Sequence, residues 1–138
     1  MDANTRKMAQ DFSTLLMFEG HAEEAMNFYV SLFKNAEIVE IQRYGPGEMG
    51  AEGSIKVASF KLGSQRMSCI DSPIKHQFGF TPSISLVVDC VDESELDLLF
   101  DRLSANGQVL MPAANYGFSR RFGWVTDRFG VSWQLTVK

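Results

Sequence analysis

A chain of 138 residues, 45% hydrophobic and 22% charged, has the length and composition of one ordinary soluble domain able to bury a core. Its net charge of -4 and pI near 5.1 disfavour nucleic acid and anionic lipid as partners, because both repel an acidic surface. MDANTRKMAQD at the N-terminus holds no apolar run of signal-peptide type, and no later segment reaches the length of a membrane span. The expectation is a cytoplasmic protein without a membrane partner.

Residues 1–11 are polar and are expected to form a flexible arm. FSTLLMF, Phe12 to Phe18, reads as a largely buried strand, and EGHAEEAMNFYVSLF follows with helical spacing of Ala25, Phe28 or Tyr29, and Leu32. EIVEIQRY carries Ile38, Val39 and Ile41 and reads as a second strand. GPGEMGAEG, Gly45 to Gly53, is expected to be a mobile loop. It lacks the GK[ST] ending of a phosphate-cradling loop, so a flexible lid is the better reading. SIKVASFKL and QRMSCID flank Gly63-Ser64 as the two arms of a hairpin.

The second half opens with SISLVVDC as a strand and continues into a helix whose Asp92 and Glu95 have capping-box spacing. Leu96, Leu99, Phe100 and Leu103 make its apolar stripe, and Asn106-Gly107 should end it, glycine accepting the left-handed conformation. QVLMP gives a short strand, PAANYGF a loop, and FGWVTDRFGVSWQL two strands around a turn at Asp127 to Gly130. Both halves therefore run strand, helix, strand, loop, hairpin over roughly 60 residues, the order of a duplicated unit. The boundaries expected are a first module at 12–72, a linker at 73–79 and a second module at 80–138.

Cys69 and Cys90 lie in apolar strand contexts without CxxC spacing, which points to buried free thiols. His21, in GHAEE, and His76, in KHQFG, have solvent-facing contexts, although His76 could act as an acid or base from a loop. Arg43, Tyr44, Arg120 and Arg121 could reach an anionic ligand, but strand-edge arginines usually face water. In the last strand, alternation puts Val131, Trp133 and Leu135 on one face and Ser132, Gln134 and Thr136 on the other.

Four blocks in order, GHAEEAMNFYVSLF, RYGPGEMGAEGSIKVASFKL, FTPSISLVVDC and GWVTDRFGVSWQL, resemble the PhnB-like family, often labelled 3-demethylubiquinone-9 3-methyltransferase-like. That family sits within the vicinal-oxygen-chelate superfamily of glyoxalase and bleomycin-resistance proteins. The resemblance implies an α+β fold in which two βαβββ modules form a curled mixed sheet around a cleft, and it implies a homodimer. It also implies that Gln134 faces the cleft at a position where metal-dependent relatives resemble one another in carrying a glutamate ligand. The other ligand positions fall near Thr14, Ser83 and Cys69 or Asp71. Thr, Ser and Gln are weak neutral donors, whereas transition metals favour His, Cys or carboxylate, so neither metal nor cofactor is expected.

Asp71 at the cleft rim could transfer a proton or could simply cap the turn into Ser72-Pro73; Cys69 could be a nucleophile or an inert buried thiol. Phe60, Phe80, Phe122, Trp124 and Trp133 are core residues by default, with Trp124 a candidate for the cleft wall. The cleft candidates are thus Thr14, Cys69, Asp71, Ser83, Trp124 and Gln134, with no catalytic residue assigned. The leading expectation is metal-free binding of a small amphipathic or aromatic molecule. The alternative is a glyoxalase- or dioxygenase-type enzyme, with or without metal. A methyltransferase would ordinarily need a glycine-rich strand-to-helix turn for its nucleotide cofactor, and the chain has none.

Overall fold

The structure, a computed structural model, describes residues 6–8 and 10–138; of the expected N-terminal arm, residues 1–5 and 9 lie outside the described residues. The chain divides into two compact units, Met1–Lys75 and His76–Lys138. The first contains β1 (Thr14–Phe18), α1 (Ala22–Leu32), β2 (Ala36–Arg43), β3 (Ile55–Leu62) and β4 (Gln65–Asp71). The second repeats the order as β5 (Leu86–Asp89), α2 (Glu93–Ser104), β6 (Gln108–Ala114), β7 (Arg121–Thr126) and β8 (Ser132–Val137). The sheets are β1-β4-β3-β2 and β5-β8-β7-β6. In each, the first strand lies parallel to the last and the remaining pairs are antiparallel. These are two βαβββ units of an α+β fold.

Strand limits shift where local chemistry overrides the hydrophobic run. β5 begins at Leu86 rather than at Ser83, because Thr81-Pro82-Ser83 forms a turn closed by a 2.7 Å bond between the Thr81 and Ser83 hydroxyls. β6 runs through Pro112 to Ala114. Proline is tolerated there because β6 is an edge strand, with a free side where its missing N–H is not needed.

Alternation in the first sheet turns Leu16, Phe18, Ala58, Phe60, Met67 and Cys69 toward α1, which offers Ala22, Ala25, Met26 and Tyr29, all of them buried. In the second, Val125, Trp133, Leu135 and Val137 meet Leu96, Leu99 and Leu103 of α2. Gly123 lies on that face, where an added Cβ would come 2.7 Å from the Phe100 ring, so the helix packs close against β7. Asp92 caps α2 by accepting from Glu95 N (2.8 Å), while Glu95 reaches back to Val91 N (3.1 Å). The left-handed residue after α2 is Asn106 (φ 59°), not Gly107. Gly107 is needed for another reason: a Cβ there would collide with the Thr126 carbonyl oxygen.

The loop between β2 and β3 is closed on itself rather than open. Tyr44 N donates to Ser54 O (2.9 Å) and Gly53 N to Tyr44 O (2.8 Å), extending the ladder. Glu48 accepts from Gly45 N (2.7 Å) and pairs with Lys56 (2.6 Å), and Arg43 bonds both Glu23 of α1 (2.8 Å) and Gly53 O (3.1 Å). Gly50 sits against the Tyr44 ring, leaving no room for a side chain. Composition suggested mobility; the ion pairs and backbone bonds that tie the loop down join residues separated in sequence.

One buried carboxylate holds the first unit together. Asp71, 5% exposed at the end of β4, accepts from Gly20 N and Ala22 N on one oxygen (both 2.9 Å) and from Ile55 N on the other (3.0 Å). It thereby joins the β1-α1 turn to the start of β3. Asp71→Ala strands these amides and is expected to lower the unfolding free energy by at least about 2 kcal/mol in urea titration. A loss below about 0.5 kcal/mol would show that the amides find other partners.

Candidate functional site

Each sheet has one face packed on its helix and one face without a helix. In the second unit, Ser132, Gln134 and Thr136 of β8 point to the helix-free face, since Trp133, Leu135 and Val137 between them are buried against α2. Register adds Val87 from β5, opposite Gln134, and Trp124 from β7, also opposite Gln134, with Met111 of β6 next to Trp124. Phe122 shares the face and is capped edge-on by Tyr116 and Phe118, with ring centroids 6.1 and 4.9 Å away.

A chain of polar contacts runs through this apolar surround. Trp124 Nε1–H donates to Ser132 Oγ at 2.8 Å, the Ser132 and Ser85 hydroxyls are 2.6 Å apart, and Gln134 Nε2 donates to Ser85 Oγ at 3.2 Å. Ser132 is only 2% exposed, while Ser85, Trp124 and Gln134 are half-buried. Gln134 therefore looks onto the helix-free face, as alternation requires, and its amide nitrogen is held by an internal partner.

The other residues singled out in the sequence are placed differently. Cys69 and Asp71 share the parity of Met67 and lie on the α1 side of the first sheet, so the face opposite α1 receives Ser68 and Ile70 instead. Thr14 has the same parity as Leu16 and Phe18 and accepts from Gln65 Nε2 (3.2 Å). Ser83 is exposed in the turn before β5, bonded to Thr81. Of the six, Trp124 and Gln134 share the helix-free face of the second sheet, where Ser85 and Ser132 join them, whereas Thr14, Cys69 and Asp71 share the α1 side of the first. Ser132 was readable from its alternation with Gln134, whereas placing Ser85 beside it required the pairing of β5 with β8.

The remaining charged candidates already have partners. Arg43 pairs with Glu23, which holds the Glu23 carboxyl below its ordinary range. Arg120 Nε donates to Lys138 O (2.8 Å) and Arg121 Nε to Asp97 of α2 (2.7 Å). His21 lies 3.5 Å from Glu24, and the His76 ring lies 4.8 Å from that of Phe78. A divalent metal does not fit the donor set beside Gln134, which is an amide and hydroxyls. Among the described residues no group of three or more His, Cys, Asp or Glu is placed to hold one. Nor is any helix among the described residues long and apolar enough to cross a membrane.

Two βαβββ units of this kind define the glyoxalase and bleomycin-resistance fold. Within it, residues 10–136 match the family described as 3-demethylubiquinone-9 3-methyltransferase, and the chain belongs to that PhnB-like family. A PhnB protein from Bacillus cereus is similar in structure, with a TM-score of 0.90, 52% identity and coverage of 94% of this chain and 100% of that one. A glyoxalase-related enzyme from Fulvimarina pelagi shares the fold at a TM-score of 0.58 and 17% identity, covering 94% of this chain and 89% of that one. Protein YjdN of Escherichia coli K12 is 41% identical over 59 residues, which take in 43% of this chain and 37% of YjdN.

The thiols give a direct check on the helix-side assignment. Burial, with the Asp71 charge adding to it, pushes Cys69 up to about 12; burial and nearby carboxylates push Cys90 up to about 11. Native protein at pH 8 is expected to resist iodoacetamide at both positions and to be doubly labelled once unfolded, as read by intact mass. Because folding favours the neutral thiols, their stabilising effect is complete below the ordinary thiol value of about 8.5 and is lost as pH rises toward the raised values. Stability should therefore fall above about pH 9.

Proposed function

We propose that the protein binds a small aromatic or amphipathic molecule without a metal, on the helix-free face of its second sheet. The observation that carries this is the row across β6, β7, β8 and β5: an indole ring fixed through its N–H, with Met111 on one side and the Gln134 amide on the other, and Val87 beyond Gln134. Val87 is 64% exposed, so the face offers apolar surface next to polar groups, the combination that binds and orients small ligands. Of the two groups a metal-free enzyme would use, Asp71 is committed to the α1 side, as is the Cys69 thiol, and His76 packs its ring beside Phe78. The family's methyltransferase name finds no nucleotide-binding turn in the chain.

The purified protein should carry such a compound, recoverable by native mass spectrometry followed by denaturation. Gln134→Leu should weaken its binding about 10-fold or more while the variant stays folded, the scale of one lost hydrogen bond with a stranded partner. Unchanged affinity in folded Gln134→Leu protein would reduce the glutamine to a structural role.

The working form we propose is a homodimer, because β1 and β5 are edge strands carrying exposed apolar side chains, Leu15 at 56% and Val87 at 64%. Unpaired thiols suit a reducing compartment such as the cytoplasm. Sedimentation equilibrium at micromolar protein should give twice the chain mass of 15.5 kDa, and a concentration-independent monomer would remove the dimer.

A further inference from the structure

The direction of the hydrogen bonds on the second sheet restricts what its ligand can look like. An indole N–H can only donate, so Ser132 Oγ accepts from Trp124. Ser132 is buried, and its hydroxyl hydrogen needs an acceptor; the Ser85 oxygen, 2.6 Å away, is the one at hand. Ser85 Oγ then accepts twice, from Ser132 and from the Gln134 amide nitrogen, which fills both of its lone pairs. Its own hydrogen has nowhere to go among these groups and is left to donate outward. The Gln134 carbonyl oxygen accepts no hydrogen bond among the described residues, so an acceptor stands beside that donor.

From this we infer that the site selects a planar ring bearing an adjacent acceptor and N–H donor on one edge, as in a primary carboxamide or a lactam. This inference rests on the aromatic-binding reading above and sharpens it. The ligand carbonyl takes the Ser85 hydroxyl, its N–H gives to the Gln134 oxygen, and its ring lies against Trp124 and Val87. A carboxylate is disfavoured because its second oxygen would oppose the Gln134 carbonyl with no donor between them. A neutral acceptor-only group leaves the Gln134 oxygen desolvated and unpaired, which is where discrimination arises.

The test uses three probes with one ring system, 2-naphthamide, its N,N-dimethyl derivative and 2-naphthoate, titrated calorimetrically into the full chain. 2-Naphthamide should bind at least about 10-fold more tightly than either of the others. Gln134→Leu should bring the two amides to within about 2-fold of each other, and Ser85→Ala should weaken both alike; circular dichroism checks that each variant is folded. If all three probes bind wild-type protein equally, or naphthoate binds best, the donor-acceptor inference is overturned while aromatic binding stands. If no probe binds the wild type, the aromatic-binding reading fails as well.

Discussion

Each βαβββ unit has to bring its last strand back beside its first in parallel, and in the first unit a single buried carboxylate meets that requirement. Asp71 ends β4 alongside Phe18, and its two oxygens collect amides from the β1-α1 turn and from the entry to β3. Those amides belong to a helix start and a strand start, places where the backbone has no ladder partner of its own. The second unit solves a related problem with Asp127, 3% exposed, which accepts from Phe129 N, Val131 N and the Trp133 indole. There the carboxylate fixes the β7-β8 turn and also satisfies the largest polar aromatic in the helix-side core. The oxygens of both aspartates are thus occupied by the amides and, for Asp127, by the indole that they join.

Once these anchors set the register, strand alternation decides which residues face away from the helices. The register that sends Met67, Cys69 and Asp71 toward α1 sends Ser68 and Ile70 the other way. A one-residue error reverses every assignment on a strand. In β8 the parity was unambiguous, because Trp133 and Leu135 are large, apolar and flank Gln134. In β4 it was not: Met67, Cys69 and Ile70 are all apolar, so the pattern in QRMSCID does not name its own buried face.

The same distinction explains how much of the molecule was legible. Element order, both helices with their apolar stripes, the Asp92 cap and both hairpins follow from local spacing, and the structure shows them. The first strand of the second unit was read too long because Ile84 is apolar, though the turn at Thr81-Pro82-Ser83 holds it outside β5. Ser85 has the parity of Val87 wherever the strand starts, and its place beside Ser132 follows from the pairing of β5 with β8, which no local pattern states. The Gly45 to Gly53 loop looked unconstrained since its ties run to Arg43, Lys56 and, through Arg43, to Glu23, and glycine content says nothing about such partners.

What remains is an asymmetry between two units of one plan. On the helix-free face of the first sheet, β4 presents Arg66, Ser68 and Ile70, β1 presents Leu15 and Met17, and β3 presents Val57, Ser59 and Lys61, a mixed surface with no tryptophan. The corresponding face of the second sheet has a tryptophan, two serines and a glutamine linked into one chain of hydrogen bonds. Burying Ser132 within that chain costs desolvation that a valine would avoid, and the offset comes from the full set of partners it finds. A half-built chain would be worse than none, so the arrangement is coherent only as a unit that ends at the surface with the Ser85 hydroxyl and the Gln134 carbonyl. The groups at that end are neutral, and the one carboxylate that β5 adds to the face, Asp89 opposite Thr136, is paired with Lys138.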